Sequence, residues 1–151
     1  MASIDLVSLK KLREETSASV SDCRRALEEA AGNYDKALAW LKKRAAEKAE
    51  KKADRETGEG LIESYIHQTG KVGAMIEILC ETDFVARTDE FKKLAHEVAM
   101  QVAAMNPQTV DELLKQEYIK DTSVTIEGLM KQVIGKLGEN ITIKRFSRLA
   151  L

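Results

Sequence analysis

The alternating segment at residues 72–81, in the middle of the chain, constrains the fold more than any other feature. Its apolar side chains fall on every second residue, at Val72, Ala74, Ile76, Ile78 and Cys80. Because successive side chains of a strand point to opposite faces, this period of two predicts a strand with one buried face. Residues 61–68 predict a second strand, and Thr69-Gly70-Lys71 between them predicts a short hairpin turn. Helices must then cover the apolar face.

The connection that follows, residues 81–91, carries large apolar side chains. It reads Glu-Thr-Asp-Phe-Val-Ala-Arg-Thr-Asp-Glu-Phe, whereas a connection between a strand and a helix normally carries polar turn residues. Phe84 and Val85 therefore have two alternative roles. They turn inward and close the core, which is common for scattered apolar loop residues, or they point outward and contact a partner.

Residues 3–48 predict three short helices. Ser3, Ser19 and Asn33 are residue types that cap helix N-termini, and Asp22, three residues after Ser19, completes a sequence like a capping box. Helical spacing gives each helix one apolar face. The predicted inner faces are Leu6, Leu9 and Leu12 in the first helix, Val20, Cys23, Leu27 and Ala30 in the second, and Ala37, Leu38 and Leu41 in the third.

Residues 42–56 differ from the preceding segment in composition. Seven Lys or Arg alternate with four Asp or Glu over an alanine background, and Glu47 and Lys51 have the spacing of an ion pair on one helix face. The pattern favours a solvated helical linker. The alternative, an arm that binds nucleic acid, is disfavoured by the interspersed acids and the lack of aromatic residues.

The second half of the chain predicts two amphipathic helices with a short helix between them. Thr88 is a suitable N-cap for the first helix, and Pro107 follows its end. A short helix is predicted at residues 110–115, and loop or a brief extended piece at 118–124. The last helix is predicted at residues 125–137, with a glycine directly after it.

A third strand is predicted at residues 140–149, near the end of the chain. Ile141 and Ile143 alternate, but the alternation fails at Arg145 and Phe146, where a bulge or a bent edge is expected. The predicted fold class is α+β: an N-terminal three-helix module, a helical linker, and a core whose three-stranded antiparallel sheet is packed by helices. The predicted boundaries are residues 1–48 for the module, 49–58 for the linker and 59–151 for the core.

The sequence shows no group of residues suited to catalysis or metal binding. His67 and His96, the only histidines, have no cysteine or second histidine at the spacing of a metal site. A nucleophile needs a base and an orienting group, and no sequence such as G-x-S-x-G is present. We therefore expect no metal, no cofactor and no enzymatic activity, but a binding or regulatory role.

The charge balance limits the kinds of partner that are expected, and the cysteines indicate the cellular compartment. The chain has 24 Lys and Arg and 25 Asp and Glu, and the net charge of -1 argues against a nucleic-acid or membrane-surface binder. No apolar run approaches the roughly 20 residues needed to span a bilayer. Residues 1–5 show no secretory signal, and Cys23 and Cys80 lie far apart in sequence, which fits reduced thiols in the cytoplasm.

Three separated groups of motifs resemble one known family, bacterial elongation factor Ts in its short form. Residues 80–87, Cys-Glu-Thr-Asp-Phe-Val-Ala-Arg, are similar to the signature of that family. Residues 135–141, with 143–146 after them, resemble its closing segment. The three-helix module also resembles ubiquitin-associated domains in shape. The motifs that resemble the family's N-terminal module are Leu-Arg-Glu-Glu-Thr at 12–16, Asp-Cys-Arg-Arg-Ala-Leu at 22–27 and Gly-Asn-Tyr-Asp-Lys-Ala at 32–37.

The resemblance implies a guanine-nucleotide exchange factor for elongation factor Tu. The family's Thr-Asp-Phe-Val motif falls on Thr82, Asp83, Phe84 and Val85. In the family, the aromatic ring enters a pocket between two helices of the partner's GTPase domain and disturbs the groups that hold the nucleotide-bound magnesium ion. By this resemblance Phe84 is the wedge, and Val85 supports it. Asp83 caps or orients the junction and is available to contact the partner. The N-terminal helices are expected to make a second contact with the GTPase domain.

The chain also departs from longer members of the family. Only residues 108–125 lie between Pro107 and the last predicted helix, so a projecting helical insertion is expected to be missing. Longer forms carry a second core half, and a chain with one half is expected to form a two-fold homodimer, without a disulfide because no cysteine lies near its C-terminus. The alternative function is a ubiquitin-like or peptide-binding adaptor that binds through residues 3–48 alone.

Overall fold

The computed structural model describes residues 4–151, which form seven α-helices and five β-strands. Three helices come first and a mixed region follows, so the predicted α+β class is confirmed. None of the helices within these residues has both the length and the apolar character needed to cross a membrane. The helices are α1 (Leu6–Thr16), α2 (Val20–Glu29), α3 (Tyr34–Lys52), α4 (Asp83–Ala86), α5 (Asp89–Met105), α6 (Val110–Lys115) and α7 (Ile126–Leu137). The strands are β1 (Glu59–Ile66), β2 (Val72–Cys80), β3 (Glu117–Tyr118), β4 (Asp121–Thr125) and β5 (Ile141–Ala150).

Side-chain caps set the starts of several helices. The side chains of Ser19 and Asn33 each accept a hydrogen bond at 3.0 Å from the amide three residues later, and Thr88 accepts one at 3.2 Å. These three predicted caps are confirmed. The cap of α1 is Asp5, whose carboxylate accepts hydrogen bonds from two amides of the first turn. The predicted cap, Ser3, lies outside the described residues.

The first three helices enclose a small core of their own. Leu6 and Val20, which were predicted to face this core, are instead 77% and 46% exposed, and Ile4 packs against the core ahead of α1. This core packs the three helices against one another. Its buried residues are Leu12, Cys23, Ala26, Leu27, Ala37 and Leu41.

Helix α3 joins this bundle to the rest of the chain. It runs without a break past the predicted boundary at residue 48. Its second half packs against α7, and Ala49 belongs to the main core. The assignment of residues 49–58 as a linker between two domains stays a prediction.

The main sheet has the strand order β1-β2-β5, with both pairs antiparallel, which confirms the predicted three-stranded antiparallel sheet. Ile78 of β2 pairs with Ile143, and Glu77 pairs with Arg145. Lys144 therefore has no partner on β2 and is the extra residue of a bulge. The sequence placed this bulge one residue later. The extra residue keeps both Ile143 and Phe146 on the core side of the sheet.

Helix α5 covers the inner face of the sheet, and α7 packs against α5 and belongs to the same main core. The alternation that predicted β2 is therefore confirmed as a buried face. The buried apolar residues of these elements are Ala74, Ile76, Ile78, Cys80, Ile141 and Ile143 from the sheet, Phe91, Leu94, Ala95, Val98, Ala99, Val102 and Ala103 from α5, and Ile126, Met130, Val133 and Ile134 from α7.

Strands β3 and β4 form a small second sheet that polar side chains hold against α5. Glu97 accepts hydrogen bonds from Tyr118 Oη at 2.5 Å and from Lys120 Nζ at 2.8 Å. Gln101, fully buried, accepts one from Ile119 N at 3.0 Å. The sequence predicted only loop or a brief extended piece here, because these buried polar contacts leave no periodic pattern.

Candidate functional site

The connection after β2 folds into the single-turn helix α4, which the sequence did not predict. Thr82, and not Asp83, is its N-cap, since the Thr82 hydroxyl accepts a hydrogen bond from Val85 N at 3.4 Å. At the other end, Thr88 Oγ1 donates a hydrogen bond to the Val85 carbonyl oxygen at 2.8 Å. Two threonines therefore fix both ends of this short helix.

Phe84 and Val85 are neighbours in α4 but lie in opposite environments. Val85 is 9% exposed and packs in the main core, whereas Phe84 is 79% exposed. The sequence left open whether these residues close the core or point outward. In the structure Val85 closes the core and Phe84 points outward. An exposed ring on an ordered turn is typical of a residue that anchors a partner, because a large apolar area becomes buried at little cost in conformational entropy.

Asp83 lies beside the exposed ring and pairs within its own helix. Its carboxylate is 2.9 Å from Arg87 Nη2, and both side chains are largely exposed. A surface pair of this kind contributes little to stability. The pair leaves one charge of each sign next to Phe84, where a partner can contact either of them.

Two glutamates that the sequence did not single out hold the start of α4. Glu139, between α7 and β5, accepts hydrogen bonds from Glu81 N at 3.1 Å, Thr82 N at 2.9 Å and Thr82 Oγ1 at 2.6 Å. In return, Glu81 Oε1 accepts a hydrogen bond from Asn140 N at 2.8 Å. We call Glu81 and Glu139 the carboxylate clamp. In the sequence, only their positions within the family-like motifs set Glu81 and Glu139 apart from other glutamates. Residue spacing within one helix or strand cannot reveal a contact between two distant segments.

The clamp is also tied to the end of α3. Asn140 is buried, and its Nδ2 donates hydrogen bonds to the Arg55 carbonyl oxygen at 2.9 Å and the Ala53 carbonyl oxygen at 3.3 Å. Arg55 Nη1 lies 3.5 Å from Glu81 Oε1. The chain leaving the N-terminal bundle therefore contacts the residues that support α4.

The Cys80 thiol lies next to the clamp and is suited to packing rather than chemistry. It is fully buried, and its Sγ lies 3.1 Å from the Thr82 carbonyl oxygen, to which it donates. Burial, with the Glu139 carboxylate nearby, raises the pKa of Cys80 to about 11. Because the thiolate is the reactive form, this thiol is unreactive near neutral pH.

Within residues 4–151, no three His, Cys, Asp or Glu side chains come together in a way that could hold a metal ion. The two histidines have other contacts. His67 Nδ1 lies 3.0 Å from Thr69 Oγ1 in the hairpin turn, and the His96 ring packs edge-on against Tyr65 with 5.7 Å between the centroids.

The N-terminal bundle exposes apolar side chains of its own. Leu6 and Val7, in the first turn of α1, and Val20, at the start of α2, are all exposed. Val20 lies where α1 ends and α2 begins, so we call only Leu6 and Val7, at the start of α1, the N-terminal patch. They belong to the helices that the family-like motifs predicted to contact a partner.

The outer face of the main sheet carries a further apolar surface. Met75 of β2 pairs with a serine on each neighbouring strand, and Ile62, Ile66 and Leu149 are its diagonal neighbours. All four of these apolar side chains are exposed. We call Ile62, Ile66, Met75 and Leu149 the outer sheet patch.

Comparison with known proteins agrees with the motifs. A family model described as elongation factor TS matches residues 81–151. Elongation factor Ts of Solidesulfovibrio magneticus is 41% identical, and the match covers 100% of this chain and 98% of that protein. Elongation factor Ts of Fervidobacterium nodosum is 39% identical, over 95% of each chain. Elongation factor Ts of Nostoc is 44% identical, over 100% of this chain and 48% of that longer protein.

The alignments with these relatives differ in length. The alignment with the Solidesulfovibrio relative extends over 196 positions while the chain has 151 residues, so about 45 positions have no counterpart here. The alignment with the Nostoc relative extends over 151 residues. The Solidesulfovibrio relative is therefore the longer protein over the same alignment, and the absence of a helical insertion after Pro107 stays a prediction.

Proposed function

The chain belongs to the elongation factor Ts family, and on that premise we propose that it is the guanine-nucleotide exchange factor of elongation factor Tu. Membership places it among translation elongation factors. In this proposal it binds elongation factor Tu that holds GDP and accelerates GDP release. It carries out no covalent chemistry itself, and it acts in the cytoplasm without contacting nucleic acid or a membrane.

The observation that carries the proposal is the exposed Phe84 ring on the fixed turn of α4. Its neighbour Val85 is buried in the core, so the backbone beneath the ring cannot move freely. A partner that buries the ring gains the transfer free energy of a large apolar side chain, about 1.5–3 kcal/mol. Little of this gain is lost to ordering, because α4 is already ordered.

The proposed mechanism weakens the hold of the partner on its magnesium ion. Magnesium bridges phosphate oxygens and protein groups in nucleotide-binding GTPases, so disturbing its ligands weakens nucleotide retention. An exchange factor therefore needs no phosphate-binding loop of its own. Because coupling between two ligands is reciprocal, GDP must weaken the binding of this protein to elongation factor Tu by the same factor.

The four motif residues have separate roles in this proposal. Phe84 is the wedge that enters the partner. Val85 anchors the wedge in the main core, and Thr82 caps the turn that carries both. Asp83, paired with Arg87 at the surface, orients the junction and is available to contact the partner.

The N-terminal patch supports a second contact with the GTPase domain. Leu6 is 77% exposed and Val7 is 74% exposed, next to each other in the first turn of α1. Adjacent large apolar side chains that are this exposed are typical of a protein-binding surface. Two separated contacts would fix the orientation of Phe84 in the complex better than one.

The outer sheet patch supports a homodimer. Met75 and its three apolar diagonal neighbours lie on one face of a sheet whose other face is already packed. A two-fold pair buries the same patch on both chains, which makes a self-complementary apolar surface the simplest interface. The Glu77 carboxylate, 2.6 Å from Arg145 Nε on the same face, provides a polar rim.

Release of a fluorescent GDP analogue from elongation factor Tu tests the function. The protein should accelerate release, and Phe84→Ala should reduce the acceleration roughly ten- to a hundredfold, which corresponds to the transfer free energy of the ring. Met105→Ala removes another exposed apolar side chain, at the end of α5, and should leave the acceleration unchanged.

Two outcomes would contradict the proposal. If the folded protein binds elongation factor Tu without changing GDP release, exchange is not its activity. If it instead binds peptides or ubiquitin-like proteins through residues 3–48 with no effect on nucleotide release, the adaptor function is correct. Circular dichroism of each variant establishes that folding is equal before rates are compared.

A further inference from the structure

Helix α4 is too short to be stable by itself. It has only four residues, and an isolated helix of that length does not repay the cost of its first turn. The exposed position of Phe84 therefore depends on contacts that other parts of the chain make with α4. Burial of Val85 and Ala86, with the bond from Thr88 to the Val85 carbonyl oxygen, holds the second half of the helix, but none of these contacts holds its start.

The carboxylate clamp supplies the missing constraint at the start of the helix. Both oxygens of Glu139 accept hydrogen bonds from the two residues that precede α4, Glu81 and Thr82. Hydrogen bonds to an ionised acceptor are shorter and stronger than those between neutral groups. The contact joins positions 57 and 58 residues apart in sequence, so it fixes α4 to the far end of α7 rather than to its own strand.

The Thr82 hydroxyl extends this constraint into the turn. Its single proton points to Glu139 Oε2 at 2.6 Å, which leaves its lone pairs free to accept from Val85 N at 3.4 Å. A continuous chain of hydrogen bonds therefore runs from Glu139 through Thr82 to the residue after Phe84. Without the carboxylate, the hydroxyl is free to rotate and the cap loses its orientation.

From this geometry we propose that Glu139 is a positioning residue for nucleotide exchange, which holds α4 so that Phe84 is presented in one fixed direction. The inference rests on the proposed function, because it assigns Glu139 a role through Phe84. Glu139 does not contact the partner or the nucleotide in this proposal. Glu139 instead increases the fraction of protein molecules in which Phe84 points in the direction needed for exchange.

The test measures GDP release from elongation factor Tu against the concentration of three variants. Glu139→Ala removes the acceptor, Glu139→Gln keeps one carbonyl acceptor of the same size, and Glu112→Ala is the matched control. Glu112 also accepts a backbone hydrogen bond, from Gln108 N at 3.0 Å, but lies on α6. The N-terminal patch is intact in all three variants, so binding and wedge insertion can be separated.

We expect Glu139→Ala to lower the maximal release rate on the order of tenfold and to change the half-saturating concentration by less than about threefold. Glu139→Gln should give an intermediate rate, and Glu112→Ala should match the unmodified protein. Amide hydrogen exchange supplies a readout that does not depend on the partner. The amides of Ala86 and Arg87, bonded within the turn, should exchange faster in Glu139→Ala, while that of Ile78 in the sheet should not change.

A double-mutant cycle with Phe84→Ala tests whether Glu139 acts through the ring. If it does, Glu139→Ala causes no further loss of rate when residue 84 is already alanine. An equal fold-loss in both backgrounds would overturn the positioning role, as would an unchanged maximal rate with unchanged exchange at Ala86. If Glu139→Ala does not fold, Thr82→Val takes its place, because it removes the hydroxyl that links Glu139 to Val85 N.

The two proposals fail in different ways. Phe84→Ala with an undiminished release rate would overturn the proposed wedge, whatever Glu139 does. A slow Phe84→Ala variant together with fully active Glu139→Ala and Thr82→Val variants would overturn only the positioning role.

Discussion

Gly135 of α7 lies so close to Ala45 of α3 that a Cβ atom at position 135 would stand 2.7 Å from the Ala45 Cβ atom. Atoms of this type do not approach so closely, so the missing side chain at Gly135 sets the spacing of the two helices. Helix α3 joins the N-terminal bundle to the core, and α7 leads to Glu139. The pair therefore determines how the N-terminal patch and α4 are placed relative to each other.

Gly135→Ala should destabilise the protein by about 1 kcal/mol. Overpacking costs about 1–3 kcal/mol, and the better helix propensity of alanine returns about 1 kcal/mol. The Ala45 Cα atom, 3.1 Å from the added atom, must move as well, so side-chain rotation alone cannot relieve the contact. Urea unfolding followed by circular dichroism measures the change.

Gly128→Ala in the same helix is the control for helix propensity. Its nearest neighbour would be Thr125 Oγ1 at 3.4 Å, an ordinary contact. This variant should be as stable as the unmodified protein or more stable, by up to about 1 kcal/mol. If both variants gain stability equally, the close approach of α3 and α7 does not constrain the fold.

Glu97 should stabilise the attachment of β3 and β4 in a pH-dependent way. Burial opposes ionisation of Glu97, but the bonds from Lys120 and Tyr118 outweigh it and lower its pKa below the ordinary value of 4.5. Because the folded pKa is the lower one, the contribution is complete above 4.5 and is lost as pH falls through the folded value.

The difference in unfolding free energy between the unmodified protein and Glu97→Gln isolates this contribution. At pH 7 the variant should be less stable by about 1.5–3 kcal/mol, the typical contribution of a hydrogen bond to a charged group. The difference should shrink in a series of urea titrations from pH 7 to pH 3. A difference that stays constant over this range would mean that the charge of Glu97 is not what matters.

Periodic features of the fold could be predicted from the sequence, while single contacts could not. The alternation in β2, the caps at Ser19, Asn33 and Thr88, and the helix that ends at Gly138 each depend on residues close together in the chain. Helix α4 escaped prediction because four residues carry no period. The bulge was placed one residue late, since the sequence shows where alternation fails but not which residue is left unpaired.

The candidate site could be located from the family-like motif, but not from the spacing of apolar residues. Residues 82–85 could be singled out from the family-like sequence, but the opposite environments of Phe84 and Val85 could not, because an apolar pair in a connection is compatible with burial of either one. Glu139 was missed as a contact of Thr82 for a different reason. Its neighbours in sequence give no indication of a segment that lies 57 residues away.

Both cysteine thiols should resist a disulfide-exchange reagent in the native protein. Cys23 and Cys80 are fully buried, and burial raises the pKa of each thiol, that of Cys80 to about 11. At pH 8 about one Cys80 in a thousand would be a thiolate even with free access. Absorbance of the released thiol measures the reaction with 5,5′-dithiobis(2-nitrobenzoic acid).

Met105→Cys places a third thiol at an exposed position and is the positive control for this measurement. It should react within seconds to minutes, and both native cysteines should react only after guanidinium unfolds the chain. Rapid labelling of Cys80 in the folded protein would mean that the turn carrying Phe84 opens often. This result would contradict the inference that the carboxylate clamp holds α4 in one position.

The outer sheet patch predicts that the chain is a dimer at micromolar concentration and that Met75→Glu makes it a monomer. Met75 lies at the centre of the patch, with Ile62, Ile66 and Leu149 on its diagonals. In a two-fold pair, Met75→Glu places two unpaired carboxylates against an apolar surface, and burying an uncompensated charge is strongly unfavourable. Met105→Glu adds the same charge outside the patch and should leave the dimer intact. Sedimentation equilibrium over a hundredfold range of concentration distinguishes monomer from dimer. This face is not the interface if the unmodified chain stays monomeric throughout, or if the Met75→Glu variant stays dimeric.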